Sequence, residues 1–131
     1  MFLDSNVLAS ALTTRGLCAE LFEVVLQSHE LLTSDPVLRE LERILPEKLG
    51  QSEVVTTGFI ALLKSESVVV TFDRDAPSLP DPDDEPIVAA ALSGKSDVFV
   101  TGDKALLELQ CIEGMPIIAP RQLWEKLACM D

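Results

Sequence analysis

The sequence predicts an α/β fold, a three-layer α/β/α sandwich with a central, mostly parallel sheet. Short apolar or β-branched runs alternate with stretches whose apolar residues recur at helical spacing. Such alternation is typical of a parallel sheet covered by helices on both sides. The chain has 131 residues, 47% of them hydrophobic and 24% charged, which is enough apolar material for one core. We therefore expect a single domain over residues 1–131.

The first third of the chain predicts two strands and two helices. Phe2 and Leu3 form a short apolar strand that runs straight into a polar turn, Asp4-Ser5-Asn6, so Asp4 lies at the end of the strand. Apolar residues at helical spacing predict a helix over 17–26, and 31–33 form a weak second strand. The sequence Ser34-Asp35-Pro36 predicts the start of a helix, with Asp35 as its N-cap and Pro36 at the first helical position.

Glu40 occupies an unusual place in that helix. It lies three residues after Val37 and four before Ile44, which both belong to the apolar stripe. Its carboxylate is therefore expected along the edge of the buried face, where an unpaired charge is costly. We expect a partner that compensates it.

The middle of the chain predicts a helix, a strand and a loop. Pro46 is expected to interrupt the preceding helix and Gly50 to cap it. The next helix has the predicted apolar stripe Val54, Val55, Gly58, Phe59, Leu62 and Leu63. The continuous β-branched run at 68–72 predicts a strand buried on both faces, and the prolines and aspartates of 73–82 predict an exposed loop lying over a site.

Two further acids begin helices in the last third of the chain. Asp84 heads a helical face with Ile87, Val88, Ala91 and Leu92, so it is expected to point at the end of the sheet. Asp103 follows the buried strand 98–101 and opens a helix with leucines at 106, 107 and 109. A last strand at 116–119 and a closing helix over 122–128 complete the pattern.

These acids converge in the predicted fold. In parallel sheets the ligand crevice lies beyond the carboxyl ends of the strands. Asp4 and Asp103 belong at that edge, while Asp84 and Glu40 lean in from helices. Alone, each has a simpler explanation: a turn or N-cap for the aspartates, and an ion pair with Arg39 or Arg43 for Glu40. Together they favour a divalent-metal site, because hard cations prefer oxygen ligands, and hence metal-dependent phosphodiester cleavage.

Four sequence blocks resemble those of a known family. They are residues 2–8 (FLDSNVL), 37–41 (VLREL), 81–91 (DPDDEPIVAAA) and 100–107 (VTGDKALL), in this order along nearly the whole chain. In these blocks the chain resembles the PIN domain family. The resemblance implies a small PIN-like α/β/α metal-dependent ribonuclease, and many members of the family are toxins of VapC-type toxin–antitoxin pairs.

The resemblance also implies functional residues. It assigns catalysis and metal binding to Asp4, Glu40 and Asp103, with Asp84 as the third acid, although Asp81, Asp83 or Glu85 can share that last role. Ser5, Asn6 and Thr101 match polar positions that orient ligands or a water. It further implies one or two Mg²⁺ or Mn²⁺ ions, single-stranded RNA as the substrate, a small antitoxin as a partner, and a homodimer.

The charge of the chain limits how it binds RNA. With 22 acids and 10 bases the net charge is −12, which argues against a broad basic face but not against a nuclease. Lys104, Arg15 and Arg74 are the cations expected to contact the phosphate backbone. The acidic charge also suits a basic protein partner.

Other residue types exclude other classes of protein. Cys18, Cys111 and Cys129 are far apart and form no C-x-x-C pair, so we expect buried or idle thiols rather than a zinc site or a disulfide framework. His29 is the only histidine, which leaves little for a Ser-His-Asp triad. No apolar stretch reaches about 18 residues, and an acid stands where a signal peptide is cationic. We expect a cytoplasmic protein without a membrane span.

Two alternative functions remain open. One is a PIN fold that has lost activity and serves as a binding or interaction module. The other is an aspartate-dependent phosphohydrolase resembling the haloacid dehalogenase-like enzymes, with Asp4 as the nucleophile and Asp103 at the metal site. Against the second, Asn6 stands where that family has a second aspartate.

Overall fold

Six short strands form the central sheet. A computed structural model describes residues 1–72 and 74–129. The strands lie in the order β3-β2-β1-β4-β6-β5, and every neighbouring pair is parallel except β5 and β6. Their bounds are β1 Phe2–Leu3, β2 Leu32–Ser34, β3 Val68–Val70, β4 Phe99–Val100, β5 Cys111–Ile112 and β6 Met115–Ile118.

Helices connect the strands and pack on the sheet. Their bounds are α1 Ser5–Thr13, α2 Leu17–Ser28, α3 Asp35–Glu47, α4 Glu53–Glu66, α5 Glu85–Ser93, α6 Lys104–Leu109 and α7 Pro120–Ala128, with a short 3-10 turn at Pro82–Asp84 before α5. The predicted α/β fold with a central, mostly parallel sheet is therefore confirmed. Among the described residues, no helix is long and apolar enough to cross a membrane.

The two central strands fix the position of the residues that follow them. Phe2 pairs with Phe99 and Leu3 with Val100, and all four side chains are buried. The rings of Phe2 and Phe99 stack with centroids 5.4 Å apart. This parallel register places the residues after β1 and after β4 side by side at the carboxyl edge of the sheet.

The helix α1 replaces the polar turn that the sequence predicts after β1. It begins at Ser5, and its N-cap is Asp4, whose side chain accepts a hydrogen bond from the Ser5 amide. Val7 and Leu8 are buried on its inner face. The apolar run is too short to distinguish a strand end from a helix by its periodicity, so tertiary packing decides.

Two predictions about α3 are wrong. Its N-cap is Ser34 rather than Asp35, because the Ser34 hydroxyl accepts a bond from the Val37 amide at 3.5 Å. Pro46 lies inside the helix, which continues to Glu47. Proline lacks only the donor to the carbonyl four residues earlier, that of the exposed Glu42, where water can take its place.

The strand β3 is not buried on both faces as predicted. It ends at Val70 and lies at the edge of the sheet, with Val68 47% exposed and Val69 37% exposed. Phe72, beyond the strand, is 44% exposed. A continuous β-branched run suits a central or an edge strand equally, and only the strand order separates them.

The structure corrects three smaller predictions. In α4 the buried residues are Thr56, Phe59, Ile60 and Leu63, whereas Val54, Val55 and Leu62 are exposed. The hairpin of β5 and β6 was not predicted; it turns at Glu113 and Gly114, both of which have positive φ. The three cysteines are free, which agrees with the expectation of buried or idle thiols; Cys111 and Cys129 are exposed.

A matched pair of valines tests the core. Val88 is fully buried in α5 and Val54 is 82% exposed in α4. We expect Val88→Ala to lower the free energy of unfolding by about 2 to 3 kcal/mol, through lost apolar burial and the cavity that remains. Val54→Ala should change it by less than about 0.5 kcal/mol. Urea unfolding measures both, and equal losses would contradict the packing described here.

Candidate active site

Asp4 is the buried centre of the candidate site. It directly follows β1, its amide donates to the Val100 carbonyl at 2.9 Å, and it is only 5% exposed. Its Oδ1 accepts from the Ser5 amide at 2.8 Å, and its Oδ2 accepts from Thr101 Oγ1 at 2.8 Å. These bonds fix the orientation of the carboxylate at the carboxyl edge of the sheet.

Ser5 connects Asp4 with Glu40. The Ser5 hydroxyl donates to Glu40 Oε1 at 2.6 Å and lies 3.4 Å from Asp4 Oδ1. Because the Ser5 hydroxyl has one proton to donate, it bonds to Glu40, which is the shorter of its two contacts. The compensating partner expected for Glu40 is therefore a neutral hydroxyl from the neighbouring helix, and the carboxylate keeps its second oxygen for another ligand.

Asp103 lies on the other side of Asp4. It is the N-cap of α6, where its Oδ1 accepts from the Ala105 amide at 2.8 Å and the Leu106 amide at 3.4 Å. Its own amide donates to Thr101 Oγ1 at 3.1 Å. Thr101 thus bonds to both Asp4 and Asp103 and holds the ends of β1 and β4 together. The N-cap bonds use one carboxylate oxygen of Asp103 and leave Oδ2 available.

Asp84 interacts with the other acids of the site through their negative charges. It precedes α5 at the N-cap position, but its side chain makes no capping bond. Partial burial raises its pKa to about 7, helped by the negative charges of Asp4, Asp103, Asp81 and Glu40, in that order. A carboxyl group feels such repulsion only when the other carboxylates lie near it. The acids predicted to converge are therefore neighbours.

Burial also dominates the protonation of Asp4. It raises the pKa of the Asp4 carboxyl, and the charge of Glu40 adds to this, while the bonds from Thr101 and Ser5 oppose it. Two carboxyl groups at one sheet edge thus have raised pKa values. Perturbed acids in a cluster are typical of functional sites.

The chemistry of these donors fits a hard divalent cation, since carboxylate and hydroxyl oxygens are its preferred ligands and its charge would relieve their repulsion. Their present distances do not yet form a coordination shell. Within residues 1–72 and 74–129, no three His, Cys, Asp or Glu side chains stand close enough together to hold an ion.

Comparison with known proteins identifies the family. A family model described as "PIN domain" matches residues 1–105. The chain belongs to the PIN domain family. Members of this family are generally nucleases. No curated protein matches the sequence.

A solved structure shares the fold of this PIN domain. It is a chain in the crystal structure of VapBC2 from Rickettsia felis bound to a DNA fragment from the promoter. The TM-score is 0.67 at 13% sequence identity, and the match covers 90% of this chain and 96% of the other. At that identity the likeness shows the fold alone.

Other acids near the PIN domain site have structural bonds. Asp81 Oδ1 accepts from the Asp83 amide at 2.9 Å and so caps the 3-10 turn. Glu85 Oε2 accepts from the Leu79 amide at 3.1 Å and anchors the preceding loop. Asp83 is exposed. These contacts favour Asp84, whose side chain caps nothing, as the third acid.

The expected phosphate-binding cations differ in their surroundings. Arg74 makes a two-pronged ion pair with Glu113, at 2.8 and 2.6 Å, so it is already engaged. Lys104 is exposed directly after Asp103, and Arg15 is exposed between α1 and α2. Asn6 is exposed in the first turn of α1 and lines a groove together with Glu40. Of the three cations, Lys104 is the one nearest to the acids along the chain.

The raised pKa of Asp84 predicts how stability depends on pH in the metal-free protein. The ordinary value is 3.8 and the folded value is about 7, so protonated Asp84 favours folding and this contribution is lost as the pH rises through about 7. Asp84→Asn should flatten the decline. At pH 8 in EDTA it should be more stable than the natural protein by about 1 to 2 kcal/mol, a value reduced for solvent screening.

Urea unfolding at several pH values between 4 and 8 measures this effect. Asp83→Asn is the matched control, since it removes the same charge from an exposed neighbour. A profile for Asp84→Asn that follows those of the control and the natural protein would show that Asp84 does not feel the other acids.

Proposed function

We propose that this PIN domain is a metal-dependent endoribonuclease that cleaves phosphodiester bonds in single-stranded RNA, acts in the cytoplasm and functions as one domain over residues 1–131. The observation that carries the proposal is the cluster of Asp4, Glu40, Asp84 and Asp103 at the carboxyl edge of the sheet, where partial burial and then the charges of the neighbouring acids raise the pKa of Asp84 to about 7. Asp4 is buried and the other three acids are half-buried. Such a group of carboxylates without cationic partners does not stabilise a fold, so a functional reason for it is the stronger explanation.

The four acids would hold one or two Mg²⁺ or Mn²⁺ ions. When bound, such an ion lowers the pKa of a bound water and neutralises charge on the scissile phosphate. Thr101 and Ser5 orient the Asp4 carboxylate for this role, and Ser5 also fixes Glu40 Oε1. The acids are thus positioned by hydroxyl and amide donors that carry no charge of their own.

Proton transfer would fall to a carboxylate. His29, the one histidine, follows α2 and lines a surface pocket with Met1 at the opposite end of β1. Asp84, whose side chain makes no capping bond, is the first candidate to take up a proton from an attacking water. Glu40, held through one oxygen only, is the second candidate base.

The first experiment is cleavage of a labelled single-stranded RNA by the purified protein with Mg²⁺, Mn²⁺ or EDTA. We expect cleavage only with metal, and we expect Asp84→Asn to lower kcat by at least about 100-fold, because removing a catalytic base or a ligand costs about that much. Loss of cleavage in Asp84→Asn, prepared in parallel, guards against a contaminating nuclease, and Asp83→Asn should cleave like the natural protein.

The other outcomes separate the alternatives. Metal binding in the micromolar to millimolar range without cleavage of any tested RNA would contradict the proposed substrate. Absence of metal binding by calorimetry would favour the inactive binding module. An aspartyl-phosphate trapped on Asp4 would favour the phosphohydrolase, although both oxygens of that buried carboxylate already accept hydrogen bonds.

Lys104 tests whether the residue after Asp103 contacts the phosphate. It is exposed at the start of α6 and makes no hydrogen bond or ion pair with the described residues. We expect Lys104→Ala to lower cleavage while metal affinity, measured by calorimetry, stays unchanged. Normal cleavage by the variant would show that the side chain remains in solvent.

We further propose that the nuclease is the toxin of a toxin–antitoxin pair and forms a homodimer. The VapBC2 likeness in fold and the net charge of −12, which suits a small basic antitoxin, support this role. Co-expression with the adjacent small gene product should give a stable complex that suppresses cleavage, and light scattering should give twice the 14.3 kDa mass for the chain alone. Absence of such a neighbour would point to RNA processing instead.

A further inference from the structure

A groove extends from the candidate active site along the surface between α1 and α3. Its volume is about 470 Å³. Asn6 and Glu40 line it, so it is continuous with the cluster of acids, while Lys48 and Leu49, just beyond the end of α3, also line it. The groove therefore leads from the position of the proposed reaction to a separate surface.

Two cations line the α3 side of this groove. Arg43 and Lys48 are exposed, and neither side chain makes a hydrogen bond or an ion pair with the residues that the structure describes. They are five residues apart, about 7.5 Å along a helix axis. On a chain with 22 acids and 10 bases, two neighbouring cations without acidic partners need an explanation other than structural pairing.

The α1 side of the groove presents hydroxyl groups whose protons are already used. Thr13 Oγ1 donates to the Ala9 carbonyl at 2.9 Å, and Thr14 Oγ1 donates to the Ser10 carbonyl at 2.7 Å. Their oxygens remain as acceptors. They therefore suit a donor such as a ribose hydroxyl or a base amino group, and binding of an anion falls to Arg43 and Lys48.

We propose that this groove binds the stretch of single-stranded RNA next to the scissile phosphate, with Arg43 and Lys48 each contacting a backbone phosphate. The proposal rests on the proposed function, because the groove leads to the acids around Glu40 where cleavage is proposed. The lining of the groove matches the chemistry of a nucleotide strand. The cations can bind phosphates, and the acceptor oxygens can bind ribose or base donors. Leu49, which is 43% exposed, can contact an apolar ribose or base face.

An acidic peptide is the competing occupant, since it would also pair with two cations. Continuity with the acids distinguishes the two. An RNA strand must pass the site to place a phosphate there, and a groove that opens at Glu40 provides the path for it. A peptide gains nothing from that connection.

The test measures binding, separately from cleavage. The protein carries Asp84→Asn to suppress cleavage, and the probe is a fluorescein-labelled oligouridine 12-mer in Mg²⁺, followed by anisotropy between 50 and 200 mM NaCl. Each phosphate contact in a single strand contributes about 0.7 to the slope of log affinity against log salt. Arg43→Gln with Lys48→Gln should therefore reduce the slope by about 1.4, which makes the loss of affinity over this range about sevenfold smaller.

The matched control is Lys64→Gln with Lys126→Gln, which changes the net charge equally. Both lysines are exposed in the last turns of α4 and α7, helices that run back toward the amino edge of the sheet. The control should keep the salt slope. Equal slopes for both double variants, or no binding of the oligonucleotide by the parent protein, would overturn the proposal. So would binding of oligoglutamate that depends on Arg43 and Lys48 together with an RNA salt slope that does not.

Cleavage assays keep this proposal distinct from the proposed function. If the natural protein and the groove variant cleave RNA with the same salt dependence, the groove proposal is wrong and the nuclease proposal stands. If RNA binds through Arg43 and Lys48 in a salt-dependent way but is not cleaved, the nuclease proposal is wrong and the groove remains an RNA-binding surface.

Discussion

The hydrogen bond from Thr101 to Asp4 joins the ends of the two central strands, and the remaining site depends on it. The parallel register of β1 and β4 brings residues 97 positions apart to within 2.8 Å of each other. Thr101 has no exposed surface and also accepts a bond from the Asp103 amide, so one hydroxyl sets the relation between two of the four acids. Phe2 and Phe99, stacked below, keep the strands from shifting register. The relation between Asp4 and Asp103 is thus a consequence of strand pairing, and the 3-10 turn preceding α5 supplies Asp84.

The second constraint is the repulsion among the acids. The structure lowers this cost with neutral donors, since Asp4 receives bonds from an amide and a hydroxyl and Glu40 receives one from Ser5. None of these donors carries a charge, so none cancels the negative field. A cationic partner would give a more stable fold and a weaker affinity for metal. Partial burial is the main reason that the pKa of Asp84 rises to about 7, and the remaining field adds to it; the same field would attract a divalent ion. The repulsion among the acids is therefore greatest when no cation is bound to them.

The sequence was a good guide to the sheet and to the acids, and a poor one to local details. Strand and helix alternation, together with acids placed after apolar runs, led to the parallel sheet and the convergence of Asp4, Glu40, Asp84 and Asp103. The edge position of β3 was not predictable, because exposure of Val68 and Val69 is set by strand order and not by their own β-branched side chains. The N-cap at Ser34 was missed since Ser and Asp are equally good caps and adjacent in sequence. Periodicity carries no information on which hydroxyl reaches which carboxylate, so the bonds of Thr101 and Ser5 emerged only from the fold.

Net charge alone does not describe the surface that an RNA strand would meet. A value of −12 argues against a broad basic face, but the field at any one groove is local. At physiological ionic strength the Debye length is about 8 Å, so acids on distant faces are largely screened from the groove between α1 and α3. Arg43 and Lys48 are the cations that line that groove, and no acid of the described chain forms an ion pair with them. The acids at Glu40 repel the same strand until cations neutralise them. A substrate would then be held by the groove and admitted to the site only with metal, which makes binding and cleavage separable properties of neighbouring surfaces.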